Sequence, residues 1–506
     1  MGALPYYTSD TLIEAVQRKI SFPLSQSTFT MTDLLDFANE EMMISQVPAV
    51  LQFHEEYFVF RYMTPLVNNT SRYGIPTRAI GMRLRDLKWA DQNNNLFDMT
   101  RINADDKAFF QRNIGSNQAV HKFYVEGNTI VLTPAVTVSP TGSLLMTYFL
   151  RPNQLVPDDR AATVQSFVTP ITLQADYLNN LDNISFNTVP YTAVTSIGSS
   201  ISTILPTPNN SLSVTITTST PHQMLNGQTV TLSGTNSGPS VDGTYTVSII
   251  TPTEYQITAQ IVNPGTSGTS VCLNQFLINA SNSVVTATNF ANAVNAVGNG
   301  FSAMTSTPPT ATVNVLYNNI LDTFVPTNTI GFLYNPNLTG IIFDNLPATY
   351  TDPTTSLTTP LYVVGANVDF LQTNPGHQTY AIEVPIVSIS GNTAYFETNE
   401  LVIYTDTNQV TAPINLIIGD YICLANECII PQVPPELHSG LAERVCARIL
   451  EAIGDQTGLA TVNQKLQDIA VREGNLVDNR SEGTPMKVLN RYSLLRQTQM
   501  GTRHRL

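Results

Sequence analysis

Six histidines, four cysteines and 38 carboxylates are the groups of this 506-residue chain that could do acid–base, nucleophilic or metal chemistry. The histidines stand at 54, 121, 222, 377, 438 and 504, and no two share the i, i+4 spacing by which one helix face offers a pair of ligands to zinc. His54-Glu55-Glu56 has the glutamate of a zinc hydrolase motif but lacks its second histidine. The cysteines, at 272, 423, 428 and 446, include no Cys-x-x-Cys pair. Cys446 falls in an apolar helical stripe, where a cysteine packs as a small hydrophobe, so reduced, structural thiols are expected. Asp91-Gln-Asn93-Asn-Asn95 echoes a calcium loop, but Leu96 takes the place of its glycine and Ile102 that of its bidentate glutamate. There is no glycine-rich phosphate loop. Carboxylates such as Asp98 and Asp105 are plentiful, but nothing in their spacing pairs them for catalysis. The expectation is a chain that is not an enzyme and holds neither cofactor nor metal.

Cations offer more. Arg72-Tyr-Gly-Ile-Pro-Thr-Arg78 leads into Gly81-Met-Arg-Leu-Arg-Asp-Leu-Lys-Trp89, in which Met82 and Leu84 point one way along a strand and Arg83 and Arg85 the other. Asp86 interrupts the alternation as a bulge would. Arg78, Arg83 and Arg85 are therefore candidate ionic contacts to a neighbouring subunit, against the plainer reading of a solvated strand face. Lys487, Arg491, Arg496, Arg503 and Arg505 form an acid-free basic tail. Such a tail can dock on an acidic partner or nucleic acid, or simply stay in solvent.

These cations are unevenly distributed. From residue 161 to 443, 283 positions, there is no lysine or arginine, while the same span holds sixteen acids. The flanks keep all 24 bases against the other 22 acids, a net of +2 within a chain of net −14. The middle would repel polyanions such as DNA and anionic membranes, whereas the flanks can meet charged partners. Compositional drift in a solvated β-rich region would look the same, and either cause marks a boundary. Charged residues make up 12% of the chain, about half the usual share. Apolar residues reach 42%, enough for real cores. No apolar run approaches a membrane span, and Met1-Gly-Ala-Leu-Pro-Tyr-Tyr7 has neither a basic n-region nor a myristoylation pattern. Folding in a cytoplasm, without a membrane anchor, is expected.

The elements that must position these groups change in kind along the chain. Leu12, Ile13, Val16 and Ile20 fall at helical spacing behind Ser9 and Asp10. Leu34, Leu35, Ala38 and Met42 do so behind Thr30 or Thr32, and a third helix is expected after Pro48. Strands follow: Phe123-Tyr-Val and Thr129-Ile-Val-Leu132 flank a glycine turn, and residues 143–150 form another run. Short alternating runs between 215 and 257, with Asn226-Gly227 and Asp242-Gly243 turns, predict a small sandwich or barrel. Residues 288–297 predict a short helix ended by Gly298, and 386–397 a hairpin about Gly391-Asn392. After Pro434-Pro435, Leu437, Leu441, Val445 and Ile449 recur every fourth residue, closed by Gly454, and a second helix carries Val462, Leu466 and Ile469. The expected fold is α+β, a helical and β core formed from both chain ends. It carries an inserted all-β module, Ig-like or a small barrel, and a second small α+β module. Expected boundaries are 1–165, helices then strands; 190–275, the β module; 276–345, the second module; 360–430, core strands; and 431–506, helices and basic tail.

Several of these stretches resemble a known family. Tyr73-Gly-Ile-Pro-Thr-Arg-Ala-Ile-Gly-Met-Arg-Leu-Arg-Asp-Leu87, preceded by Glu56-Tyr-Phe-Val59, is similar to a motif of neck, or head–tail adaptor, proteins of tailed bacteriophages. So are Tyr148-Phe-Leu-Arg-Pro-Asn-Gln-Leu-Val156, Phe370-Leu-Gln-Thr-Asn-Pro-Gly-His377, Ile430-Pro-Gln-Val-Pro-Pro-Glu-Leu-His438 and Asn479-Arg-Ser-Glu-Gly-Thr-Pro-Met-Lys487. Separately, Thr220-Pro-His-Gln-Met-Leu-Asn-Gly-Gln-Thr-Val-Thr-Leu232 with Asp242-Gly-Thr-Tyr-Thr-Val247 resembles a β module found in many phage virion proteins.

The resemblance implies a virion protein of a short-tailed, crAss-like phage, assembled in the host cytoplasm. Such a protein is a ring homo-oligomer, usually a dodecamer, between the portal and adjacent tail rings, with DNA passing through its bore at ejection. It also implies that Arg78, Arg83, Arg85 and the basic tail face a neighbouring subunit or the portal. An adhesin or receptor-binding structural protein is the alternative, suggested by the Asn- and Thr-rich β middle, and a virion-associated hydrolase is a third.

Overall fold

Thr30 opens a helix with a reciprocal cap. Its hydroxyl accepts the Asp33 N–H at 3.2 Å, and the Asp33 carboxylate accepts the Thr30 N–H at 2.8 Å. In the computed structural model this helix, α2 (Met31–Glu41), follows α1 (Ser9–Ile20). The structure describes residues 7–20, 29–54, 56–93, 95–106, 122–133, 142–207, 212–305, 310–327, 329–346, 349–352, 355–373, 378–405 and 411–477. The helix expected to begin after Pro48 is instead continuous with α2. A π-helical turn, Met42–Gln46, leads directly into α3 (Val47–Phe53). The wider turn keeps the Pro48 ring off a carbonyl that a straight α-helix would place against it.

Near the other end of the sequence, after α4 (Ser283–Val297), α5 (His438–Ile453) buries Leu441, Val445 and Ile449 on one face and stops at Gly454, whose φ of +79° only glycine adopts freely. The buried faces of α1 and α2, with Leu12, Val16, Leu34 and Ala38, share one core with that of α5. Tyr7 donates its backbone N–H to His438 Nδ1 at 3.1 Å, and Ser9 donates to the Ile429 carbonyl at 2.7 Å. Arg448 pairs with Glu41 at 2.5 Å, and Lys19 with Glu443. Each buried Leu or Ile contributes about 1.5–3 kcal/mol, whereas an ion pair between a buried glutamate and a partly exposed cation gives back much of its attraction in desolvating the carboxylate. Apolar burial therefore holds the two ends together, and the ion pairs set register. A last helix, α6 (Gln456–Val477), follows α5.

Residues 59–150 build a two-sheet sandwich. One sheet orders the strands Val59–Pro65, Ser143–Leu150, Ala79–Ala90 and Leu96–Asp98; the other orders Arg72–Gly74, Thr129–Thr133, Lys122–Glu126 and Thr100–Arg101. Leu87, Leu144 and Met146 of the first face Ile130, Leu132 and Phe123 of the second in a common core.

The twelve-residue strand Ala162–Leu173 is the hub of a ten-stranded sheet. Its start pairs with Tyr421–Leu424, its centre with Leu338–Phe343 on one edge and Thr312–Tyr317 on the other. Beyond Tyr421–Leu424 lie Asn367–Leu371 and then Thr379–Pro385. Helix α4 (Ser283–Val297), capped by the Asn282 side chain and ended by Gly298, packs Phe290 against Phe276, Phe186 and Phe332. A single hydrophobic core runs from Ala162 through Phe290 and Ile341 to Phe370, Phe396 and Ile422. Residues 276–345, expected as a module of their own, therefore have no separate core. Their helix and strands complete the one that residues 360–430 also fill.

Residues 199–272 do have a separate core, of Ile204, Val214, Ile216, Val230, Leu232 and Tyr255. Alternation on strands such as Ser213–Thr218 sends Val214, Ile216 and Thr218 inward and leaves Thr215 and Thr217 on the other face. Seven strands are ordered from Gly243–Thr246 at one edge to Ser248–Thr251 at the other. Those two edge strands adjoin in the chain through buried Val247, so the sheet rolls into a near-barrel. The fold as a whole is mostly β, with several sheets and helices from both ends, an α+β arrangement. Among the described residues, no helix is long and apolar enough to cross a membrane.

Candidate functional site

Arg78 closes the turn before the strand Ala79–Ala90, and its side chain is 5% exposed. It reaches Asp369, on the strand Asn367–Leu371, which is completely buried. Arg78 Nη1 donates to Asp369 Oδ2 at 2.8 Å, and Arg78 Nη2 donates to the Asn153 side-chain oxygen. The same carboxylate oxygen accepts Asn153 Nδ2 at 2.7 Å and the Asn426 N–H at 3.0 Å. Oδ1 accepts the Glu383 N–H at 2.9 Å. Glu383 holds φ at +57°, and the strand pair Asn367–Leu371 and Thr379–Pro385 is irregular at that point. The bulge turns that N–H onto the carboxylate. Asn153 extends the network by donating its backbone N–H to Gln432 Oε1 at 2.6 Å, and Gln432 donates to Thr379 Oγ1 at 2.8 Å.

Asp369 accepts from four donors on four stretches of chain, three at Oδ2 and one at Oδ1. It is a joint between those stretches. Arg78 was expected on a partner-facing surface, and here the structure corrects the sequence. Its guanidinium is spent inside the molecule, because its complement lies 291 positions downstream.

Arg83 and Arg85 are exposed, and two irregularities place them. Between the partner pairs Ala79–Leu150 and Leu84–Tyr148, and again between Leu84 and Asp86, the strand carries extra residues that its neighbour lacks. Bulges of this kind turn side chains out of the ladder. Arg85 makes a two-point contact with Glu56, with Nη1 at 2.5 Å from Oε2, and this guanidinium holds the Glu56 carboxyl below its usual range. Arg83, Arg85 and Arg101 line one cleft of about 540 Å³ whose floor includes Met82, Leu84, Leu87, Met99 and Phe123. Arg101, on a two-residue strand of the other sheet, carried no sequence signal; only the packing of the two sheets brings it there. Lys487, Arg491, Arg496, Arg503 and Arg505 lie outside the described residues.

Several of the groups that could do chemistry are engaged structurally. Asp91 accepts the N–H groups of Asn93 and Asn95, both at 2.8 Å, closing the turn into Leu96–Asp98. His222 accepts the Met224 N–H at 3.0 Å and faces the Thr251 carbonyl at 3.0 Å; burial lowers its pKa. His438 Nε2 lies 3.1 Å from the carbonyls of Pro431 and Val433. Burial pushes the Cys272 and Cys446 thiols up to about 12, and those of Cys423 and Cys428 higher still. Thiols so displaced are poor nucleophiles. His121, His377 and His504 lie outside the described residues. Among the described residues, no three His, Cys, Asp or Glu side chains gather as metal ligands would. No protein-family model matches the chain, and no curated protein matches its sequence.

Proposed function

We propose that this chain is a structural ring subunit of a phage neck or tail, joining portal to tail while DNA passes through the bore. One observation carries the reading. Four of the five stretches that resemble neck proteins contribute to, or adjoin, a single buried junction: Arg78 from 73–87, Asn153 from 148–156, Asp369 next to 370–377, and Gln432 from 430–438. Residues spread over more than 350 positions serve one internal joint, the rigid framework that a load-carrying structural subunit requires. The fifth stretch, 479–487, lies outside the described residues.

In the ring the joined ends form the scaffold, and the acidic middle projects away from the DNA path, where its charge does not oppose the polyanion. The test is the size of the purified protein by mass photometry, followed by class averages in electron microscopy. A closed ring of high order, near twelve copies, is expected. A monomer, or the trimer usual for adhesins, would reject the reading, and a map placing residues 161–370 on the bore would reject the orientation.

A further inference from the structure

We infer that the cleft bearing Arg83 and Arg101 is the socket into which a second copy of this chain inserts a carboxylate-bearing part of its lysine- and arginine-free span. The inference rests on the self-association proposed above and names the surfaces that carry it.

Three observations lead to it. First, the cleft presents uncommitted positive charge. Arg85 is occupied by Glu56, but among the described residues neither Arg83 nor Arg101 is held by a carboxylate. Asp86, the one acid lining the cleft among the described residues, accepts the Leu87 N–H at 2.8 Å and sits 3.9 Å from Lys88. Second, the cleft is built to receive a chain segment. Its floor is apolar, and the bulges on either side of Leu84 hold the arginines at its rim. A charged rim around an apolar floor is the anatomy of a protein–protein contact.

Third, the chain itself supplies the complementary charge in a place where it cannot be satisfied locally. The span 161–443 has sixteen acids and no lysine or arginine, so its carboxylates can find guanidinium or ammonium partners only on the flanks or on another molecule. Asp369, Glu427 and Glu443 are met by Arg78, Arg160 and Lys19 of the flanks. Asp344, Glu397 and Glu400 stand exposed instead. Two unlike surfaces on one chain, one cationic and one anionic, pair head to tail, and head-to-tail contacts close into rings when the rotation permits. Nucleic acid would also seek arginines, but a floor of Met, Leu and Phe offers a phosphate backbone nothing.

The experiment compares the wild type, the double charge reversal Arg83→Glu with Arg101→Glu, and the charge-conserving pair Arg83→Lys with Arg101→Lys. Each is sized by mass photometry in low and physiological salt and checked for an unchanged thermal melt. Charge reversal should raise the concentration needed for assembly at least about tenfold, since attraction becomes repulsion across the contact. The lysine pair should still assemble. Carbodiimide treatment of isotopically mixed copies of the lysine pair should then couple positions 83 or 101 to a carboxylate within 161–443 of a different copy.

Assembly unaffected by charge reversal, or coupling only within one copy or to the flanks, overturns the socket while leaving the ring reading intact. A monomeric wild type overturns both. If charge reversal abolishes binding to a short DNA duplex but spares assembly, the cleft serves nucleic acid and the inference fails.

Discussion

Arg78 and Asp369 face one another at 2.8 Å, the carboxylate wholly sealed from solvent and the guanidinium nearly so. The pair fastens the β-sandwich of residues 59–150 to the ten-stranded sheet. Because both charges are desolvated, leaving either one alone is far more damaging than removing an exposed pair. Arg78→Met should therefore lower stability by about 3–5 kcal/mol in chemical denaturation. Arg78→Met combined with Asp369→Leu should recover part of that loss. Equal losses in the single and double variants would mean that the pair is no more than its separate parts.

The four cysteines are buried and unpaired. With their thiols displaced upward by burial, Ellman's reagent should find no reactive thiol in the native protein at mildly alkaline pH, and four once denaturant is added. Rapid labelling of Cys423 or Cys428 in the native state would contradict the packing described for the two ends.

Asp158 meets Asp10 where α1 begins, each carboxylate accepting the other's N–H at 3.3 Å. Burial, with the Asp10 charge adding to it, raises the Asp158 pKa above the ordinary 3.8, so the folded state favours its protonated form. That contribution to stability is complete below the ordinary value and is lost as pH rises through the raised one. Asp158→Asn should accordingly gain stability over the wild type at neutral pH and show little difference near pH 3.8. Urea titrations at the two pH values check the sign.

Gly340 sits in the strand Leu338–Phe343 between Val168 of the hub and Tyr395 of the next strand. A Cβ there would lie 2.7 Å from Val168 Cγ1 and 2.8 Å from the Val168 carbonyl oxygen. Backbone cannot move aside cheaply, so Gly340→Ala should cost about 1–3 kcal/mol by overpacking. A melting temperature equal to wild type would show that the sheet opens more readily than its register implies.

What could be read from the sequence was local. The every-fourth-residue stripe of α5, the Gly127-Asn128 and Gly391-Asn392 turns and the Gly298 stop of α4 all stand where spacing and turn chemistry put them. Asp86 was legible as a bulge for the same reason, since it breaks a two-residue period. The joint and the hub were not legible. Ala162–Leu173 gives no hint in its own residues that its partners come from 312–317, 338–343 and 421–424. Arg78 looks like any strand-flanking arginine until Asp369 is brought to it. Arg101 was missed because two neighbouring residues on a short edge strand carry no periodicity at all.

The near-barrel of residues 199–272 leaves and rejoins the rest of the chain at one place. Ser199, on its first strand, is the ladder partner of Ser270, on its last. Further ties to the rest of the chain include Gln228 Nε2 to the Pro190 carbonyl at 3.1 Å and to Thr192 Oγ1 at 2.7 Å, and Gln275 Nε2 to the His222 and Gln223 carbonyls at 3.0 and 2.8 Å. Since adjacent strands lie about 5 Å apart, a short turn can bridge the gap left by its removal. A chain so shortened should keep the cooperative unfolding of the remainder, measured by calorimetry. The unit is thus a cartridge. Its exchange for another folded unit would leave every contact of the joint around Asp369 in place.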